Sequence, residues 1–311
     1  MPVEPTPPLP APMRRVARRA LRAVLWVARR GPLHRHLLRL RFGPWAPRLI
    51  GGRVTVRWRG VRVEVDPGEA HGFHVFVHGD YGGAETDACI EACGTAAVFV
   101  DAGAHIGLMA LAVAQACPAT HVVAVEADAD VARWLRHNLA LNPDLVPRVT
   151  VLEAAASDRD GEVAFDASVT PDNVGMGRIS TSDTSSRRVP AVALGPWLAA
   201  RNLRADVVKL DVEGAEIDAL EGLWAGGHTP RALLIESHGY LAASSGEFNR
   251  RLLSALSTRG YLVERLGRGR WHPVPDAGEL GGREHLRAVR PSVDGAGAGR
   301  HPQPPAPRSS R

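Results

Sequence analysis

Unbroken apolar runs alternate along the chain with segments of helical periodicity. Ala96 to Val100 and Val122 to Val125 contain no polar residue, the pattern of strands covered on both faces. Val149 to Ala155, Asp206 to Leu210 and Arg231 to Glu236 continue the series. Between these runs the spacing predicts helices over Ile106 to about Ala116, Asp130 to Leu141, Leu194 to Asn202, Gly214 to Leu220 and Phe248 to Arg259. In the second of them Val131, Trp134, Leu135 and Leu139 fall on one face. Tyr261 to Leu266 and His285 to Val289 predict the closing strands. Strict alternation at Val54, Val56 and Trp58, then Val61, Val63 and Val65, predicts a hairpin turning at Arg59-Gly60. Gly72 to Gly79 predicts a further strand, and Tyr81 to Glu85 leads into a helix ending near Cys93. Glu162 to Phe165 and Gly177 to Ser180 predict an inserted hairpin. Strands alternating with helices indicate an α/β fold around a parallel sheet.

Chemistry concentrates at the predicted strand ends. Asp101 closes the first core strand, and Gly103 and Gly107 turn the chain into a helix whose free N–H groups point back at the loop. A dinucleotide cradle uses G-x-G-x-x-G to meet a pyrophosphate. Here the pattern is D-x-G-x-x-x-G. A carboxylate disfavours phosphate but suits an ammonium or sulfonium group, and S-adenosylmethionine carries both without a phosphate. Glu126, ending the next strand, is placed to accept the ribose hydroxyls. Ser157 and Asp158 follow the third strand where an adenine amino group would lie, although Asp158-x-x-Gly161 is also ordinary turn chemistry. Asp211 and the Glu236-Ser237-His238 run end the fourth and fifth strands on the same edge. Either acid, Asp101 or Glu126, taken alone reads equally well as a solvated strand end.

Val98 to Gly107, Glu126 and above all the run V-K-L-D-V-E-G-A-E-I-D-A-L-E-G from Val208 to Gly222 resemble the FkbM-type family of S-adenosylmethionine-dependent methyltransferases. The likeness spans roughly Tyr81 to Arg290. It implies a Rossmann-like class I methyltransferase fold: a mostly parallel seven-stranded sheet with an antiparallel last strand and helices on both faces. It also implies S-adenosylmethionine as cofactor and O-methyl transfer to a hydroxyl of a small molecule such as a sugar or specialised metabolite. Carried onto this chain, the cofactor set is Asp101, Gly103, His105, Gly107, Glu126, Ser157 and Asp158. Asn173, in the loop Pro171 to Gly175, and Glu236 are expected to face the substrate. Tyr81 and Glu85 are further contact candidates, Glu85 being equally a plain acid at a helix N-terminus. Two departures stand out. His105 stands where the family usually has Asn, and Gly195 replaces an Asp, read here as a change at a helix cap.

An alcohol is a weak nucleophile until a base takes its proton. Asp211 and Glu213 are expected to shape the site, with His238 as base. The acid cluster offers an alternative, a divalent metal orienting a diol, but the site is assigned without a metal.

Composition refines this picture. The 311 residues suffice for one large α/β domain with appendages. Cys89, Cys93 and Cys117 form neither a disulfide framework nor a metal pattern, consistent with a reducing compartment. Lys209 is the lone lysine, so nearly all positive charge is arginine, which is read as a coding bias and not as a site. The net charge of +5 is uneven: eleven arginines and no acid fall within residues 13–48. Removing those eleven from the 38 basic residues leaves 27 against 33 acidic ones, so the core is not a nucleic-acid surface. Residues 1–12 and 291–311 are Pro-rich and Pro/Gly/Ser-rich and expected to be disordered. Residues 13–48 are expected to form a basic amphipathic helical segment, 49–95 a hairpin and cap region, and 96–290 the methyltransferase domain. The basic helix from Met13 to Ala28 suits either an anionic membrane surface or packing on the core or a partner. No run approaches the roughly 20 apolar residues of a membrane span, and no signal-peptide pattern is present. The expected location is the cytoplasm, with peripheral contact at the inner membrane surface as an option. Two rivals stay open: a non-catalytic, membrane-associated protein that keeps the fold to bind a ligand, and a nicotinamide-dependent oxidoreductase, disfavoured by the missing G-x-G-x-x-G. Oligomeric state is not legible.

Overall fold

The computed structural model describes residues 52–291 except 68, 95, 168–176, 181–186 and 268, together with residues 12, 13, 16 and 20. The basic helical segment, the terminal tails and Asn173 therefore lie outside the described residues, the four isolated positions apart. Among the described residues no helix is long and apolar enough to cross a membrane.

The predicted hairpin is present as β1 (Val54–Trp58) and β2 (Val61–Val65), with all six alternating apolar residues buried. The chain continues through α1 (Ala70–Phe73) and a π-helical turn (His74–His78). This corrects the strand expected over 72–79. Phe73 N–H reaches Glu69 O at 2.7 Å and Gly79 N–H reaches Val75 O at 3.0 Å, so the backbone is satisfied locally. Adjacent Val75 and Phe76 are both buried, which a two-faced alternation cannot provide.

The core follows as α2 (Gly83–Cys93), β3 (Val98–Ala102), α3 (Leu108–Ala116), β4 (His121–Glu126), α4 (Ala129–Ala140) and β5 (Val149–Glu153). An inserted small sheet holds β6 (Ala155–Ala156), β7 (Gly161–Asp166), β8 (Arg178–Ile179) and β9 (Arg188–Val192) in the order β6-β9-β7-β8. The expected pairing of β7 with β8 is there; β9, whose internal Pro190 argues against a strand, supplies the strand between β6 and β7. The second half contributes α5 (Leu194–Ala199), β10 (Val207–Leu210), α6 (Glu216–Trp224), β11 (Ala232–Ser237), α7 (Ser245–Thr258), β12 (Leu262–Gly267), β13 (Arg270–Pro273) and β14 (Glu284–Val289).

The main sheet runs β5-β4-β3-β10-β11-β14-β12-β13. Its first five strands are mutually parallel, and β14 enters antiparallel to β11. The seven-stranded expectation is extended by one: β13 pairs with β12 at the edge. Alternate side chains separate two cores. Phe99, Val122, Ala124, Val207 and Leu234 face the hairpin, α2 and α3, while Val98, Val100, Val123, Val208 and Leu233 face α5, α6 and α7. Helix α3 is buried from Leu108 to Ala114 because it is sandwiched between the sheet and the hairpin. The hairpin is thus part of the core, tied to α4 by Asn138. That side chain accepts from Glu64 N–H at 2.7 Å and donates to Glu64 O at 3.2 Å and Ile106 O at 2.9 Å.

Candidate active site

The chain order of the sheet reverses between β3 and β10, and a doubly wound sheet opens a ligand crevice at that point, outside the carboxyl ends of its strands. A cavity of about 250 Å³ lies there. Its wall includes Asp101, Gly103, His105, Glu126, Asp211, Glu213 and Glu236 from the expected set, along with Tyr81 and Glu85.

The loop after β3 is held close against its neighbours. Gly103 has φ +80°, and a Cβ there would stand 1.7 Å from Asp211 O. Only glycine permits that approach. Gly107, at φ +89°, caps the start of α3 beneath the cavity. His105 adopts φ +51°, a left-handed conformation that Asn and His enter more readily than most residues, which accounts for an exchange between the two. Glu126 fixes this loop: its Oε2 accepts from His105 N–H at 2.9 Å and its Oε1 from Asp128 N–H at 2.8 Å. Burial nevertheless pushes the Glu126 carboxyl up to about 7.

Asp101 is fully buried, and neither of its oxygens has a hydrogen-bond partner among the described residues. Lys209 Nζ stands 3.5 Å away, an ion-pair distance longer than an ordinary hydrogen bond. Burial raises the Asp101 carboxyl to about 6 against the pull of Lys209. The same ammonium donates to Asp211 Oδ2 at 3.1 Å. Burial disfavours the Lys209 charge, but Asp211, Asp101 and Glu85 outweigh it and keep the amine protonated. Burial likewise opposes the Asp211 charge, yet Lys209 and His238 hold that carboxyl below its ordinary range. Lys209 is therefore a structural centre of the site, a role not read from the sequence. A lysine inside the apolar strand Val207–Leu210 was the available signal, since a buried ammonium needs counter-charges.

The structure does not bring every expected residue to the wall. Ser157 is buried with its hydroxyl on Asp158 Oδ1 at 3.1 Å, and Asp158 pairs with Arg159 at 2.9 Å. Neither lines the cavity; Ala154, Ala155, Ala156, Phe165 and Ile179 do so instead. His238 also stands behind the wall, fully buried. Its Nδ1 donates to Glu216 Oε1 at 2.8 Å, and its Nε2 faces Glu213 Oε2 at 3.5 Å and Asp211 Oδ1 at 3.8 Å. Gly195 is no cap: it sits inside α5, where a Cβ would be 2.3 Å from Leu223 O and 2.6 Å from Gly226 N. Its smallness lets α5 cross the end of α6. Sequence reasoning passed over His71, Arg178 and Arg283 on the wall and Glu216 behind it. Arg283 pairs with Glu236, and the His71 ring meets Tyr81 and His105 edge-on at 4.8 and 4.9 Å.

A family profile described as the methyltransferase FkbM domain matches residues 101–263, just over half the chain. The chain belongs to the FkbM methyltransferase family. It is an S-adenosylmethionine-dependent methyltransferase with the Rossmann-like class I fold. The site fits that cofactor, because Asp101 offers a buried carboxylate with unused acceptors to a cationic ligand. No curated protein sequence matches the chain significantly. Among solved structures, the fold is similar to an S-adenosylmethionine-dependent methyltransferase from Agrobacterium tumefaciens (13% identity, TM-score 0.46, covering 78% of this chain and 71% of that one). It is also similar to an O-methyltransferase from Bacillus cereus in complex with S-adenosylhomocysteine (12%, 0.43, 88% and 100%). A third is the precorrin-6y C5,15-methyltransferase from Geobacter metallireducens (12%, 0.39, 66% and 87%).

Proposed function

We propose that this FkbM methyltransferase acts on a hydroxyl oxygen of a small molecule such as a sugar or specialised metabolite. The supporting observation is the group of Asp211, Glu213 and Glu236 on the cavity wall, at the ends of the two strands that follow Asp101's strand across the sheet. Carboxylates accept hydrogen bonds from alcohols, so this group orients a hydroxyl and receives the proton that an alcohol must shed.

Bound S-adenosylmethionine supplies an electrophilic methyl group. The chain contributes position and charge. Asp101 holds the cationic end of the cofactor, Glu126 the ribose, and the close-packed turn at Gly103 and Gly107 sets the distance between them. Asp211, kept ionised by Lys209, directs the acceptor oxygen. His238 acts from behind the wall: anchored by Glu216, it steadies the Asp211 and Glu213 carboxylates, a positioning role in place of the direct base expected from sequence. Asn173, outside the described residues, is kept as a substrate-side candidate, and Ser157 and Asp158 as contacts a bound adenine would have to reach from beyond the present wall.

The test is labelled-methyl transfer to a panel of hydroxylated small molecules, with amines and thiols as comparison. Transfer to oxygen, lost in Asp211→Asn while cofactor binding persists, supports the reading. Transfer confined to nitrogen or sulfur acceptors overturns it. Cofactor binding by folded protein with no transfer to any acceptor would favour the non-catalytic alternative.

A further inference from the structure

The cavity wall carries an unbalanced charge. Among the described residues, six carboxylates line it (Glu85, Asp101, Glu126, Asp211, Glu213 and Glu236) against three permanent cations, Arg178, Lys209 and Arg283. The two cations nearest the acceptor end are already committed. Lys209 takes Asp211 Oδ2 and Arg283 takes Glu236, so the Asp211 Oδ1 and Glu213 Oε2 atoms are left facing His238.

His238 is the second observation. Its imidazole is fully buried, its Nδ1 is fixed by Glu216, and its Nε2 has no hydrogen-bond partner among the described residues. That nitrogen points into the gap between carboxylate oxygens 3.5, 3.7 and 3.8 Å away, on Glu213, Glu236 and Asp211. The contacts are too long for hydrogen bonds but close to the spacing of ligands around one ion. Metal–ligand bonds of about 2.1 Å put neighbouring donors about 3.0–3.4 Å apart. Ligand atoms of Asp211, Glu213 and His238 all lie within 4.8 Å of one another. The His238 contacts would have to close by a few tenths of an ångström and the two carboxylates on each other by up to about 1.4 Å, within reach of a side-chain rotation.

We infer that Asp211, Glu213 and His238 form a binding site for one divalent cation at the floor of the acceptor pocket. Two carboxylates and one imidazole suit a first-row ion such as Mn²⁺ and leave coordination positions open toward the cavity. Glu216 serves as the outer partner that orients the imidazole, as ligating histidines ordinarily have. The acid cluster that sequence reasoning left without a metal gains here the nitrogen ligand it lacked. Occupied, the site would draw an acceptor hydroxyl, or two neighbouring ones, onto the ion and ease loss of the proton. That last step rests on the proposed hydroxyl transfer; the ion site itself does not.

The experiment is a titration of the full chain with MnCl₂, without cofactor or acceptor, following the free-ion signal by electron paramagnetic resonance. The expected result is one Mn²⁺ bound per chain, with affinity lowered roughly tenfold or more in Glu213→Gln. Glu85→Gln, in the neighbouring group of Glu85, Glu236 and His285, should bind as the wild type does. His238→Gln is a second probe, judged only where circular dichroism shows it folded. Absence of saturable binding overturns the inference, as does binding that survives Glu213→Gln or is lost with Glu85→Gln instead. Because no methyl acceptor is present, failure here leaves hydroxyl transfer to be judged by its own assay.

Discussion

Lys209 lies directly opposite Asp101 in the parallel register of β10 and β3, its Nζ 3.5 Å from the carboxylate. Two residues further along the same strand face, Asp211 accepts from the same ammonium at 3.1 Å. One cation thus joins the residue proposed to meet the cofactor to the residue proposed to meet the acceptor. The arrangement follows from strand geometry, since positions i and i+2 share a face and cross-strand partners stand side by side.

Replacing that cation tests the relationship. Lys209→Met keeps the length and apolar stem but leaves the fully buried Asp101 carboxylate without its counter-charge and the partly exposed Asp211 with His238 alone, which costs up to about 3–5 kcal/mol when Asp101 stays ionised. Protonation relieves the cost, so the loss measured by denaturant unfolding should be larger at pH 8 than at pH 5. Equal losses at both pH values would show that the carboxylates do not depend on Lys209.

Cofactor affinity should depend on pH through Asp101 and Glu126, whose carboxyls burial raises to about 6 and about 7. Both groups hold a proton in the folded protein at pH values where the unfolded chain has released it. Their contribution to stability of the free protein is therefore present at low pH and declines as pH rises from about 4 to about 7. Binding of a cation to Asp101 runs the other way, because it requires the carboxylate. Titration calorimetry should find S-adenosylmethionine binding weaker by about fourfold at pH 5.5 than at pH 8 through Asp101 alone, and by more where Glu126 must also be ionised. A flat profile would separate cofactor binding from these two acids.

Asn138 offers a test of how the hairpin supports the site. It is fully buried, and its amide bridges β2 to the loop carbonyl of Ile106. Asn138→Leu removes three hydrogen bonds and strands the Glu64 N–H, a loss of about 1–3 kcal/mol for each buried group left unsatisfied. Unfolding should show that loss, accompanied by weaker cofactor binding if the loop carrying Ile106 is the cofactor cradle proposed above. Unchanged stability would mean that the hairpin is not bound into the core.

The parts of this molecule that repeat a local rule were legible from the chain. Apolar runs and strand-end acids placed β3, β4, β10 and β11, and with them Asp101, Glu126, Asp211 and Glu236 on one edge. What escaped depends on contacts between distant segments. The 70–78 region is helical because Glu69 and Val75 carbonyls take its N–H groups, and β13 forms only because β12 offers a free edge. Lys209 looked idle until Asp101 and Asp211 were brought beside it. His238 looked like an exposed strand-end base, but packing under Glu213 and Glu216 puts it behind the wall. Gly195 differs from the usual residue because of a helix crossing that no local pattern announces.

The most direct test of the account is calorimetric titration of the purified chain with S-adenosylmethionine, beside Asp101→Asn, an isosteric change that removes the buried charge. The wild type should bind S-adenosylmethionine and S-adenosylhomocysteine but not NAD, and the variant should bind S-adenosylmethionine at least about tenfold more weakly while staying folded. Equal affinity in the variant, or no binding by folded wild type, would contradict a cofactor cradle built on Asp101.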